Sequence, residues 1–349
     1  MTAKTQDLRV VSFEPLEAPA QVVAQQPLSE AAATTVLAGR DELRQALSGR
    51  DRRFVAIIGP CSIHDPKAAL EYAGRLMELR ERYHDRLLIV MRVYFEKPRT
   101  SVGWKGLIND PRMNGSHDIV HGLKLAREIL LAVNELGLPC ATEFLDPIVP
   151  QYTSDLVSWA AIGARTTESQ THRQMASGLS MPVGFKNATA GGLQVAIDAM
   201  VSARAGHAFV GIDEAGRTSV VKTTGNPDVH LVLRGSGGQS NYSKADIAYA
   251  KALLGAPAHI RQIMIDCSHG NSNRNFLNQP RVFEDVVRQF AAGEHQILGN
   301  MTESNLVEGK QNLESKEPGG LVYGQSITDA CIGWKTTAEL LASAYAALG

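Results

Sequence analysis

Cysteine is scarce. Four in 349 residues are too few for a disulfide scaffold, which points to a reducing cytoplasm and leaves the thiols for packing or metal. Excess charge of either sign is also missing: 35 Lys and Arg against 36 Asp and Glu give a formal charge of −1. That balance removes the electrostatic case for nucleic acid or an anionic membrane, so any anion site must be a local concentration of cations. No apolar run approaches the roughly 18 residues of a membrane span, and the opening MTAKTQDLRVVSFEPLEAPA has no apolar signal core. The first buried run is followed by GPCSIHD (59–65) rather than a G-x-G-x-x-G loop, which argues against a dinucleotide-binding sheet. What is present is ordinary globular usage, 44% apolar and 20% charged, in a chain long enough for one large domain or two medium ones.

Short β-branched runs alternate with segments of helical period. Residues 1–28 read as an extended arm, and Ser29 caps a helix to about Ser48, stopped by Gly49. Strands are expected near 54, 88, 140, 160, 182, 229, 262 and 295, with helices at about 66–83, 119–137, 193–203, 243 onward, 281–291 and 329–347. HAFVGID (207–213) and RTSVVKTT (217–224) break the rhythm as a β-hairpin. Continuous apolar strands alternating with helices mean a parallel sheet covered by helices, and eight units favour an α/β closed (β/α)8 TIM barrel. The division is therefore an N-terminal arm and helix over 1–50, and a barrel over 51–349 carrying the inserted hairpin 207–224.

Barrel active sites gather where strands end. Those ends read Cys61, Arg92, Glu143, Arg165, Lys186, Arg234 and His269, with Glu303 after the eighth strand. A single strand-end Arg is as often half of a surface ion pair; the set carries the argument. Arg92, Lys97, Arg99, Arg165, Lys186 and Arg234 would put enough cations on one face for two phosphates, or a phosphate and a carboxylate. Cys61, His269, Glu303 and Asp329 combine thiolate, imidazole and carboxylate, a set suited to Mn²⁺, Fe²⁺, Co²⁺ or Zn²⁺ rather than Mg²⁺. His64 lies beside the cap residue Asp65 and reads as a loop or anion contact. Cys140, Cys267 and Cys331 read as packing, Trp159 and Trp334 as core, and Trp104 as a lid wedge or site wall.

The strings GPCSIHDP (59–66), MRVYFEKPRT (91–100), VGWKGLINDP (102–111), IGARTTESQ (162–170), GFKN (184–187), LRG (233–235), DCSHGNSN (266–273) and SITDACIGW (326–334) closely resemble the 3-deoxy-D-arabino-heptulosonate 7-phosphate (DAHP) synthase family. The resemblance is to its subgroup with an N-terminal extension and runs from about residue 7 to 346. It implies a (β/α)8 barrel with a hairpin inserted before the sixth strand. The implied reaction condenses phosphoenolpyruvate with erythrose 4-phosphate, releasing phosphate, as the first step of the shikimate route to aromatic amino acids. It further implies Cys61, His269, Glu303 and Asp329 as ligands of a divalent metal. Arg92, Arg165, Lys186 and Arg234, with the backbone at Gly163–Ala164, would hold phosphoenolpyruvate; Lys97, Arg99 and Thr100 would hold the aldose phosphate. Lys97 would meet developing alkoxide charge, and Glu143, beside Lys186, would orient the attacking water. Ser101 stands where Thr is common and keeps the hydroxyl.

The same resemblance implies a homodimer or homotetramer. It also implies an aromatic amino acid inhibitor site bounded by Asp7 of a neighbouring subunit with Gln151, Leu179, Ser180, Phe209, Gly211 and Val221. Gly at 211, where phenylalanine-responsive relatives have Ser, points to tyrosine. Two alternatives remain at this level: the related 3-deoxy-D-manno-octulosonate 8-phosphate synthase, against which KPRT (97–100) and the hairpin argue, and a non-catalytic barrel that binds phosphorylated metabolites.

Overall fold

A computed structural model describes residues 5–313 and 320–349. The eight expected strands close into one barrel in the order β1-β10-β9-β8-β5-β4-β3-β2. They are β1 (Phe54–Gly59), β2 (Leu87–Arg92), β3 (Cys140–Glu143), β4 (Trp159–Ile162), β5 (Val183–Lys186), β8 (Val229–Leu233), β9 (Ile263–Asp266) and β10 (Ile297–Glu303), every neighbouring pair parallel. Between β5 and β8, β6 (Ala208–Ile212) and β7 (Thr218–Lys222) form the expected antiparallel hairpin outside the barrel.

Period two sorts the strand residues. Val55, Ile57, Leu88, Val90, Ala141, Trp159, Ala161, Val232, Met264 and Met301 form one interior cluster. The alternate residues, such as Phe54, Ala56, Leu87 and Ile89, join the outer cluster under the helices. The helices preceding the barrel are α1 (Pro19–Gln25) and α2 (Glu30–Leu47). Leu43, Ala46 and Leu47 of α2 belong to the interior cluster, so the end of α2 closes the floor of the barrel. The interior also holds a buried pair: Trp159 Nε1 donates to His230 Nε2 at 2.8 Å.

The outer helices are α3 (Pro66–Tyr83), α4 (Ile119–Glu135), the single turn α5 (Pro150–Thr153), α6 (Gln170–Gly178), α7 (Gln194–Arg204), α8 (Lys244–Leu254), α9 (Gln279–Ala291) and α10 (Trp334–Ala347). The expected caps are in place. Asp65 accepts from the Lys67 and Ala68 amides ahead of α3, and Ser243 with Asp246 makes the capping box of α8. No helix among the described residues is long and apolar enough to cross a membrane.

The structure departs from the sequence expectations at the single turn α5, which was not expected, and at three larger places. The arm is not extended throughout: α1 starts at Pro19, whose missing N–H suits a first helical turn. It docks on the hairpin, with the Ala20 amide donating to Glu214 O at 2.9 Å. Helix α6 follows β4 where none was expected; its sequence QTHRQMASG is polar, and Ser169 caps it. α10 begins at Trp334 rather than 329, because bridges Ser304↔Ile332 and Gly309↔Cys331 hold the preceding segment extended. That segment lies beside β11 (Val307–Lys310) and β12 (Gln325–Ser326), a small parallel pair.

Candidate active site

Extending the inward register of each strand by one step reaches Gly59, Arg92, Glu143, Gly163, Lys186, Arg234, Asp266 and Glu303. The apolar interior thus ends upward in a layer of charge. Two of the eight are glycines for steric reasons. A Cβ at Gly163 would lie 2.2 Å from Glu143 Oε1, and one at Gly59, where φ is +153°, would lie 2.9 Å from Arg92 O. Over this layer opens a cavity of about 460 Å³ lined by nearly every residue singled out above, among them Lys97, Arg99, Thr100, Ala164, Arg165, His269 and Asp329.

One side of the cavity gathers metal-type donors. Cys61 Sγ and carboxylate oxygens of Glu303 and Asp329 all lie within 4.8 Å of one another. Lys97 Nζ is 3.1 Å from Cys61 Sγ and 3.1 Å from Cys61 O. Burial, with the Glu303 charge adding, pushes the Cys61 thiol up to about 12, while Lys97 opposes the shift. His269 lines the same cavity but stands outside the group of three. Its backbone is left-handed at φ +56°, and its Nδ1 lies 2.9 Å from Asp266 Oδ2 and 2.7 Å from Ser268 Oγ. A carboxylate on Nδ1 is the usual orientation of a histidine that ligates through Nε2, and Nε2 takes no hydrogen bond among the described residues. One thiol, two carboxylates and this histidine therefore fit a borderline divalent ion as a donor set.

The other side gathers cations. Arg92 is 1% exposed; its Nη2 approaches Glu303 Oε1 at 3.3 Å, its Nε donates to Pro60 O, and its guanidinium lies 3.9 Å from the Tyr94 ring centroid. Its Nη1 has no partner, and neither has Glu143 Oε1, although both atoms are buried. Unmatched buried polar atoms facing a cavity are what a polar ligand satisfies. Lys186 Nζ pairs with Asp266 Oδ2 at 2.9 Å. Burial works against both charges, but each partner holds the other ionised, Asp266 well below the usual carboxylate range and Lys186 above the usual amine value. Exposed Arg165 donates to Thr100 Oγ1 at 3.0 Å, joining two loops across the rim. Arg234 Nη1 reaches only Gly235 O at 3.4 Å, and burial, with Arg165 and Arg274 nearby, lowers its pKa.

Several residues in or beneath the lining escaped the sequence reading. Tyr94 in the lining and the fully buried Asp266 beneath it carried a signal, since Tyr94 sits between Arg92 and Lys97 and Asp266 shares the inward register of Met264. Arg274 lies in a turn, Phe276 opens a short 3-10 turn and Lys310 ends the short strand β11 outside the barrel, none of which carries a usable period. Gln279 clamps the eighth strand end: its amide accepts from the Glu303 amide at 2.9 Å and donates to Glu303 O at 3.1 Å. His64 is buried away from the cavity lining. Trp104 lies under the 97–106 loop, its Nε1 donating to Asp110 O, and Arg99 Nε donates to Trp104 O at 2.7 Å.

The residues expected at an inhibitor site divide. Phe209 and Val221 are a cross-strand pair on the hairpin, and a Cβ at Gly211 would lie 2.9 Å from Val221 Cγ2. Leu179 and Ser180 adjoin the hairpin base: Leu179 O accepts from Asn226 Nδ2, and Ser180 O from Arg44 Nη2 at 2.8 Å. Gln151 is exposed on α5 and Asp7 sits on the arm at φ +55°, and neither hydrogen-bonds the hairpin. A second cavity, of about 490 Å³, opens at the barrel floor, but its Arg53 and Arg86 are already bonded, to Asp51 and to Tyr345 O.

Comparison with known proteins agrees with this geometry. The pattern defining the DAHP synthetase I family matches residues 24–342. Phospho-2-dehydro-3-deoxyheptonate aldolase, Phe-sensitive, of Escherichia coli K12 is 54% identical over 98% of this chain and 97% of its own. The Tyr-sensitive counterpart of Salmonella typhimurium is 52% identical, with 96% and 94% covered, and the Trp-sensitive one of Enterobacter agglomerans 52%, with 97% of each covered. A solved phospho-2-dehydro-3-deoxyheptonate aldolase from Francisella tularensis SCHU S4 superposes with a TM-score of 0.93 at 45% identity, covering 97% of this chain and 98% of that one.

Proposed function

The chain belongs to the DAHP synthetase I family, and from that premise we propose how its barrel mouth carries out 3-deoxy-7-phosphoheptulonate synthesis. Phosphoenolpyruvate, erythrose 4-phosphate and water give DAHP and inorganic phosphate. The observation that carries the assignment of parts is the meeting, in one cavity, of eight cations with Glu303 and Asp329, the buried Cys61 thiol lying within 4.8 Å of both carboxylates.

Arg165, Lys186 and Arg234, with the Gly163–Ala164 backbone, hold the phosphate of phosphoenolpyruvate, and Arg92 offers its free Nη1 to the carboxylate. Arg99 and Thr100 hold the aldose phosphate. Two substrates with phosphates repel each other, and the cation layer offsets that cost. Cys61, His269, Glu303 and Asp329 would hold a divalent ion, which supplies Lewis acidity toward the aldehyde oxygen. The nucleophilic carbon of phosphoenolpyruvate forms the new bond to the aldehyde carbon, and Lys97 meets the negative charge that develops on the aldehyde oxygen. Water then adds to the carbon that bears the phosphate ester. Glu143, with Oε1 unpartnered, orients that water and Lys186 holds the departing phosphate while the C–O bond breaks.

Regulation is by an aromatic amino acid bound at the hairpin, with tyrosine as the inhibitor. Overall identity does not separate the subtypes, at 54, 52 and 52%; the tyrosine reading rests on Gly211. A serine Cβ there would lie 2.9 Å from Val221 Cγ2, a crowding that Gly211 avoids. The arm exposes Leu8, Val11 and Phe13, with Val11 fully exposed, an apolar strip suited to a second copy in a homo-oligomer. The four cysteines are all unpaired, as in a cytoplasmic protein.

Phosphate release tests the reading. It should require phosphoenolpyruvate and the aldose phosphate together, prefer erythrose 4-phosphate to arabinose 5-phosphate, stop in excess chelator and return with Mn²⁺ or Fe²⁺. Full turnover by chelated, metal-free protein would refute the metal reading.

A further inference from the structure

Glu96 is 4% exposed and sits one residue before Lys97, yet the reaction gives it no task. It forms no ion pair among the described residues. Its carboxylate instead accepts two backbone amides of the neighbouring loop, Leu145 N on Oε2 at 3.3 Å and Asp146 N on Oε1 at 3.1 Å. Burial, with the charges of Asp146 and Glu143 adding, pushes this carboxyl up to about 8. A buried carboxylate without a cation is costly. Two parallel N–H groups, however, need two acceptor oxygens, which a carboxyl group offers whether protonated or ionised and a side-chain amide lacks.

The contact belongs to a closed ring of loops. Leu145 O bonds His172 Nε2 at 2.7 Å, and His172 Nδ1 bonds Ser169 Oγ at 2.8 Å. Ser169 caps α6, four residues beyond Arg165, and Arg165 returns to Thr100 Oγ1 at 3.0 Å. The segment after Glu96 is stiff within itself: the Lys97 amide donates to Lys105 O at 2.9 Å, and a Cβ at Gly106 would fall 2.0 Å from Phe95 O. A stiff loop is aimed by its root, and Glu96 is at the root.

We propose that Glu96 is a positioning residue: its carboxyl group, seated on the Leu145 and Asp146 amides, sets the angle at which Lys97, Arg99 and Thr100 meet the aldose phosphate. This rests on the assignment of residues 97–100 to that substrate.

The test is Glu96→Gln in the full-length Mn²⁺ enzyme, beside Arg99→Ala as control. Gln keeps the shape and turns an N–H donor toward an N–H donor. The expected result is a rise of about tenfold in KM for erythrose 4-phosphate, the scale of one buried N–H left without its acceptor. KM for phosphoenolpyruvate should stay within about twofold and the unfolding midpoint should hold, while amide exchange over 97–106 quickens. Glu96→Asp, with both acceptors one methylene short, should give an intermediate rise and reads the same constants if the Gln variant folds poorly. An unchanged aldose KM in Glu96→Gln with a raised one in Arg99→Ala would overturn this proposal alone. No change in either variant would remove the assignment of the loop as well. Parallel loss of both KM values and of stability would reduce Glu96 to a structural part.

Discussion

Glu143 reaches the mouth of the barrel because residue 163 has no side chain. The 2.2 Å clearance from a would-be Cβ to Glu143 Oε1 leaves no room for a methyl group, so Gly163→Ala must displace the carboxylate. Steady-state phosphate release should show kcat down by about tenfold or more, the cost of misplacing a catalytic group, with the unfolding midpoint little changed because the site is at the rim. An active Gly163→Ala enzyme would mean Glu143 does not orient the water. At the two anion sites, Arg234→Ala should raise KM for phosphoenolpyruvate and Arg99→Ala that for erythrose 4-phosphate, each by the about 1.5–3 kcal/mol of a hydrogen bond to a charged group. If Arg99→Ala left the sugar constants alone, the loop would belong to another role. Strand-end residues were readable in the sequence because the period of two fixes which face the barrel. Arg274 and Lys310 were not: Arg274 sits in a turn, which has no register, and Lys310 ends β11, a short strand outside the barrel. Asp266 was missed for a different reason: it acts through Lys186 and His269, and that dependence exists only in three dimensions.

At the scale of elements, the structure divides the first 28 residues into two parts. Residues 5–16 carry exposed apolar side chains, Leu8, Val11 and Phe13 among them. Residues 17–26 are tied to the barrel: Tyr152 Oη donates to Glu17 O at 2.8 Å and Arg127 Nε to Gln26 O at 2.8 Å. Arg127 is wholly buried, so removing Gln26 leaves a guanidinium N–H without an acceptor, a loss of about 1–3 kcal/mol. Deletion of 1–16 should therefore abolish tyrosine inhibition and preserve both turnover and the thermal midpoint, whereas deletion of 1–28 should also lower the midpoint. Undiminished inhibition in the shorter deletion would detach the arm from regulation. Gly211→Ser, which crowds Val221, should shift sensitivity toward phenylalanine in the same assay. The sequence reading found the barrel strands and the hairpin, whose long apolar or alternating runs speak clearly. It lost α1 and α6, of seven and nine residues, because so few turns show no usable period and their helicity comes from packing.

Across the whole molecule, the barrel interior changes character along its axis, from a floor plugged by α2 to a charged mouth, and one titratable group lies in the apolar part. His230 is fully buried and holds Trp159 Nε1 on its unprotonated Nε2 at 2.8 Å. Gly184 makes room for the pair, since a Cβ there would meet Trp159 Cζ2 at 2.5 Å and His230 Cε1 at 3.0 Å. Burial lowers the imidazole pKa to about 4 from an ordinary value near 6.5. The folded pKa is below the unfolded one, so this histidine's contribution is complete above about pH 6.5 and is lost as the pH falls toward 4, in total about 3 kcal/mol. Protonation would also aim an N–H at the Trp159 N–H. Carboxylates add their own acid sensitivity, but Asp266 lies well below the usual range and titrates later. The separating variant is His230→Gln, which keeps an acceptor for Trp159 and has no proton to gain near neutrality. Urea unfolding at pH 7.5 and 4.5 should show the parent losing more stability than the variant between the two conditions, even if the variant starts lower. Equal losses would mean that His230 is already protonated in the folded barrel, or that its neighbours yield enough to solvate it, and the dry interior inferred from the apolar cluster would have to be given up.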